Sequence, residues 1–117
     1  RAVALAIACE IHPLNNLRVL NYLKGPLAQS QGAVDAWMKH WMLQGGLESV
    51  EAMLPGGDFC FGNSPTLADC CLIPQLFNAD RFNISYEHLP KISRIAQACT
   101  KLTAFTAAHP SRQPDAE

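Results

Sequence analysis

At 117 residues, 49% apolar and 16% charged, the chain is one domain's worth, long enough to bury roughly two thirds of its unfolded surface. Nine Lys and Arg against ten Asp and Glu, with no basic cluster, exclude nucleic acid and an anionic membrane surface as implied partners. No apolar run reaches the ~18 residues of a membrane span and no signal-peptide pattern is present. Five cysteines without framework spacing point to a reduced, cytoplasmic setting, where the Asn83-Ile84-Ser85 sequon is an accident of composition.

Helix signals dominate and strand signals are nearly absent, so an all-α bundle of five to six helices is expected. The first helix runs from residue 1 to about Glu10. It begins without Met and without a cap, already in helix-forming composition, which reads as a cut through a helix and hence as a fragment. Pro13 either kinks this helix or starts a new one. From Pro13 to about Lys24 the leucines at 17, 20, 23 and 27 recur at helical spacing, and Gly25-Pro26 closes the segment.

The longest helix is expected from about Ala33 to Leu54, with a stripe of Val34, Trp37, Met38, Trp41, Leu47, Val50 and Leu54. Gly45-Gly46 interrupts it, and because each glycine costs about 1 kcal/mol in a helix, the pair marks a close helix contact or a bend. Pro55-Gly56-Gly57-Asp58 ends the helix, and Phe59-Cys60-Phe61-Gly62 is an apolar plug for the core.

The next helix starts at a signal written twice over. In Ser64-Pro65-Thr66-Leu67-Ala68-Asp69 the Thr66 side chain can accept from the Asp69 amide while the Asp69 carboxylate reaches back to the Thr66 amide. The apolar residues that follow place this cap in the interior, where leaving it unmade would cost on the order of 1–2 kcal/mol. The helix should run from about Leu67 to Arg81, with Leu67, Cys70, Cys71, Pro74 and Phe77 on its core face, a bend at Pro74, and Asn78 and Arg81 continuing that line. Two further helices cover about Pro90 to Cys99 and about Leu102 to His109, and the Pro-rich tail 110–117 is expected to be loosely held. The domain thus spans 1–109.

Four stretches together resemble a known family. Thr66-Leu67-Ala68-Asp69, Ile11-His12-Pro13-Leu14-Asn15-Asn16-Leu17-Arg18-Val19-Leu20, Pro74-Gln75-Leu76-Phe77-Asn78-Ala79-Asp80-Arg81-Phe82 and His109-Pro110-Ser111-Arg112-Gln113-Pro114-Asp115 look like the C-terminal domain of zeta-class glutathione transferases, the maleylacetoacetate and maleylpyruvate isomerases. The likeness covers nearly the whole chain. It implies the helical fold of that domain and, for the full-length protein, a cis–trans isomerisation of a small cis-keto dicarboxylic acid. Glutathione would be the cofactor: its thiolate adds to the cis double bond, the bond rotates, and elimination releases the trans acid. It also implies a homodimer. Thiol activation in the family belongs to an N-terminal thioredoxin-like domain with a Ser-Ser-Cys-type motif, so no catalytic residue is expected here and the chain alone should be inactive.

The resemblance points to His12, Asn16, Leu17 and Arg18 as glutathione-binding, and to Arg18, Asn78 and Arg81 as substrate-binding. His12 and Asn16 would lie one turn apart if the helix is unbroken from Pro13, with Arg18 about 120° around it. Without the family, His12-Pro13 reads as a helix entry, Arg18 as part of a solvated face, and Arg81 as a helix-end charge favouring the dipole. Thr66 and Asp69 are structural, and no metal site is expected, since Cys9-x-x-His12 has no second ligand pair. A non-catalytic module of the same fold, used in protein assembly, is the alternative, but it would need no convergent donors around an anion.

Overall fold

The structure, a computed structural model, describes residues 1–116, and Glu117, the end of the expected tail, lies outside them. The described residues form six helices: α1 (2–14), α2 (Leu17–Lys24), α3 (31–53), α4 (Leu67–Arg81), α5 (Pro90–Cys99) and α6 (Thr103–Ala107), followed by a 3₁₀ turn, Pro110–Arg112. None is long and apolar enough to cross a membrane. The all-α expectation stands, with α4 and α5 at the expected boundaries.

Two helices carry a widened turn. Ala6–Ile11 in α1 and Lys39–Leu47 in α3 are π-helical, with backbone bonds reaching five residues back, as from the His12 amide to the Ile7 carbonyl. The two wide segments meet at Gly46. A Cβ there would stand 3.1 and 3.2 Å from the Ile11 side chain and 2.6 Å from the Trp41 carbonyl oxygen, so only hydrogen fits. Gly45 has no such neighbour, its nearest contact being 3.4 Å. Trp37 adds a second tie, donating from Nε1 to the Leu14 carbonyl at 2.8 Å and satisfying an orphan at the end of α1.

The expected single helix from Pro13 to Lys24 is broken, and the two asparagines break it. Asn15 turns inward and donates from Nδ2 to the Ile11 carbonyl at 2.8 Å, capping the end of α1. Asn16 takes extended backbone (φ −66°, ψ 144°) and its side chain accepts from the Arg18 amide at 3.0 Å, which makes it the N-cap of α2. His12 and Asn16 therefore do not share one helical face.

The inward face of α4 also differs from the expected one. Ala68, Asp69, Leu72, Gln75, Leu76 and Ala79 are buried, whereas Leu67 is 69% exposed and Cys70 and Pro74 are exposed too. Ala68, Gln75 and Ala79 face the core beside Leu72 and Leu76 because the α4 N-terminus is anchored by Asp69, which is fully buried. Its Oδ2 accepts from the Thr66 amide and hydroxyl, each at 2.8 Å, and its Oδ1 accepts from the Cys60 amide at 2.8 Å. The capping box is in place. The third bond fastens the 54–66 loop and plugs Cys60 into the core.

α3 and α5 cap each other. Glu51 accepts from the amides of Lys91 (3.0 Å) and Ile92 (2.9 Å) at the start of α5, while the Lys91 ammonium donates to the carbonyls of Leu54 (2.6 Å) and Glu51 (3.3 Å) at the end of α3. The start of the tail is tied back through Gln113. Gln113 donates from Nε2 to the carbonyls of Ala107 (2.9 Å) and His109 (3.2 Å), and the His109 ring packs edge-on against Phe77 with centroids 5.2 Å apart.

Candidate functional site

A groove of about 380 Å³ runs between α1 and α4. Its apolar wall is Ile7, Ala8, Pro74 and Phe77, and its polar groups are His12, Gln75, Asn78 and Arg81, with the thiols of Cys70 and Cys71 between. Cys70, Cys71, Pro74 and Phe77, the expected core stripe of α4 without Leu67, form this groove wall. Pro74 sharpens it, because a residue without an amide proton leaves the carbonyl one turn earlier, on Cys70, without its usual helical donor.

Three of the expected site residues, His12, Asn78 and Arg81, converge here. Arg81 is exposed, not part of a buried stripe, and stands where this groove meets two others, one toward Lys39 and His88 and one toward the tail. Among the described residues no carboxylate lies within ion-pair distance of its guanidinium, whose ring contact is Phe82, 5.9 Å to the centroid. Asn16, Leu17 and Arg18 are not on the groove wall. Asn16 is engaged as the α2 cap, Leu17 is 68% exposed, and Arg18 begins the exposed side of α2.

Gln75 was overlooked in the sequence. It is 3% exposed, lines the groove, and its Nε2 has no hydrogen-bond partner. It continues the buried line of Ala68, Leu72 and Ala79, a face that the sequence pattern reads as the outer one. The Asn15 Oδ1 is a second buried polar atom without a partner.

Cys70 is exposed and Cys71 half-buried, whereas Cys60 and Cys99 lie in the core. Burial, reinforced by the nearby Asp69 carboxylate, pushes the Cys60 thiol up to about 12 and the Cys99 thiol up to about 11. Both stay protonated and serve as small core groups. All five cysteines are free.

Residues 31–108 match the family model of the glutathione S-transferase C-terminal domain. The chain belongs to that family. This glutathione S-transferase C-terminal domain is 41% identical over 118 residues to a probable maleylacetoacetate isomerase of Vibrio cholerae, covering 99% of this chain and 54% of that protein. It is 42% identical over 115 residues to the maleylacetoacetate isomerase of Pseudomonas aeruginosa (98% and 53%) and 40% identical over 119 residues to the maleylpyruvate isomerase of a Ralstonia species (98% and 56%). Among solved structures it superposes on a holo maleylpyruvate isomerase, a bacterial zeta-class glutathione S-transferase, with a TM-score of 0.93 and 40% identity, over 100% of this chain and 57% of that one. It is also similar to the Anaeromyxobacter dehalogenans maleylacetoacetate isomerase with dicarboxyethyl glutathione and citrate bound in its active site (TM-score 0.91, 39% identity, 100% and 52%). The domain spans about half the length of the curated relatives it matches.

Proposed function

We propose that this domain is the substrate-side half of a glutathione-dependent cis–trans isomerase acting on a small cis-keto dicarboxylic acid of the maleylacetoacetate or maleylpyruvate kind. The full-length protein would act as a homodimer in the cytoplasm, a setting that five free thiols suit. The observation that carries this reading is the groove's donor set. An imidazole, two carboxamides and a guanidinium line it beside an apolar wall, and no Asp or Glu is among its lining residues. Such a site recognises acceptors, and a planar guanidinium without an internal counter-ion is built to take a carboxylate through two parallel bonds.

Glutathione fits this donor set in part. Its carboxylates and peptide carbonyls suit the donors of His12 and of the α2 entrance formed by Asn16, Leu17 and Arg18, while its ammonium finds no carboxylate in the groove wall and belongs outside it. Bound glutathione would supply the thiol nucleophile. The chain's own residues bind and orient: Arg81 and Asn78 hold the acid, with Arg18 at longer reach, and the apolar wall excludes water from its carbon skeleton.

Arg81→Lys in the full-length protein tests the reading. Charge is kept but the fork is lost, so kcat/KM should fall about 10- to 150-fold, the equivalent of roughly 1.5–3 kcal/mol for a charge-assisted bond, with an unchanged urea midpoint. Arg18→Lys should cost less, because Arg18 starts outside the groove wall. Full activity of Arg81→Lys with a lowered midpoint would make Arg81 a helix-end charge only. The isolated chain should show no isomerisation, and micromolar glutathione affinity of the chain alone by calorimetry would refute the division of labour.

A further inference from the structure

Gln75 lies on the inward side of α4, almost wholly out of water, and still forms part of the groove wall. A buried N–H without an acceptor is costly, so native proteins rarely keep one unless something completes it. The groove has acceptors of its own, the Asn78 amide oxygen, the His12 ring and the Cys70 carbonyl that Pro74 leaves free, yet none of them is bonded to Gln75 Nε2. The Arg81 guanidinium has no acceptor atom, and the groove wall contains no carboxylate. Six residues separate Gln75 from Arg81 on α4, about 9 Å of helical rise. With the two side chains about 120° apart around the helix, one elongated dicarboxylic acid lying along the groove can reach toward both.

We propose that Gln75 is a substrate-binding residue whose Nε2–H donates to a carboxylate or keto oxygen of the acid, with Arg81 holding the carboxylate at the other end. The inference rests on the reading of the groove as an acid-substrate site and extends it to a residue on the buried side of the helix. The acceptor belongs to the acid rather than to glutathione, because an acid of this class presents oxygen acceptors at both ends of an unbroken carbon chain. That pattern matches donors at both ends of an apolar wall.

Gln75→Met keeps the length of the side chain and removes the donor. In the full-length protein the KM for maleylpyruvate should rise about tenfold or more, while the KM for glutathione stays within about twofold. The urea midpoint of the ligand-free chain should hold or rise, because a polar group left unsatisfied in the interior has been removed. A merely structural amide would behave in the opposite way, lowering the midpoint and leaving KM alone, and that result overturns the inference. So does a rise in KM confined to glutathione. Gln75→Glu preserves shape should the methionine variant fail to fold, and it should raise the KM for maleylpyruvate further by setting an anion against the acid; no change would again overturn the assignment. If the wild-type protein itself does not isomerise maleylpyruvate, the parent reading fails separately. Calorimetric titration of wild type and Gln75→Met with suberate, an elongated dicarboxylate able to reach both donors, then still decides the point, since equal affinities would dismiss Gln75.

Discussion

Asp69 is a carboxylate fully removed from water, and it is tolerated because its two oxygens collect three donors, each at 2.8 Å. Removing it strands the amides of Cys60 and Thr66 in a place where water is scarce. Asp69→Ala should therefore cost about 3 kcal/mol, more than the ~1 kcal/mol of an ordinary cap. Urea titration of parent and variant decides this, and an unchanged midpoint would mean that water reaches those amides. The same carboxylate helps hold Cys60 and Cys99 in the thiol form. Their folded values, about 12 and 11, lie above the ordinary 9.0, so their contribution to stability is complete below pH 9 and is lost as pH rises from 9 toward 12. The thermal midpoint should fall across that window, and Cys60→Ala/Cys99→Ala should flatten part of the slope relative to its own value at pH 8. An identical slope in the double variant would place both thiols in contact with water.

At the scale of elements, the contact between the two wide turns is the most demanding joint of the fold. Gly46→Ala would gain about 1 kcal/mol of helix propensity but places a methyl against Ile11 and the Trp41 carbonyl. Overpacking of this kind costs about 1–3 kcal/mol, and a clash with backbone belongs at the upper end. The variant should be destabilised, while Gly45→Ala, whose Cβ meets ordinary contacts, should be neutral or slightly stabilising. Denaturation midpoints that move together would place the two glycines in equivalent surroundings and contradict the joint. Such features mark where local reading stops. The Thr66–Asp69 box and the Pro90 start of α5 were legible because caps and prolines act within one turn of the chain. The glycine pair did announce the close contact found at Gly46, but neither the wide turns nor the partner Ile11 was legible, since those two residues meet only in three dimensions. The break at Asn15 and Asn16 was written in two good capping residues, yet the leucine spacing across them argued for a continuous helix.

As a whole, the domain is a slab of 46 × 35 × 23 Å, about two helix diameters thick. The slab leaves one side of α4 outside the interior, and hydropathy favours the wrong side of that helix. Cys70, Pro74 and Phe77 look like core but form the groove, while Asp69 and Gln75 look like surface but face inward. His12, Asn78 and Arg81 were legible as site candidates through the family motifs; Gln75 was hidden by that inversion.

The wide turn of α3 also constrains how this fold can change over generations. A π segment is an α-helix that has taken in an extra residue, and elsewhere such an insertion can be deleted again at little cost. Here everything after Lys39–Leu47 is phased to it. Were the five-back bonding kept on both sides of the gap, deleting one residue, Gln44 for example, would turn the remainder of the helix by roughly a quarter turn and draw it back by on the order of 1 Å. Glu51 would then swing away from the amides of Lys91 and Ile92, and the carbonyls of Glu51 and Leu54 would leave the Lys91 ammonium. The reciprocal fastening of α3 and α5 thus works as a ratchet on sequence length. A scan of single-residue deletions should find 39–47 intolerant although it is helical and partly exposed, and soluble, cooperatively unfolding deletants there would show that the ratchet slips.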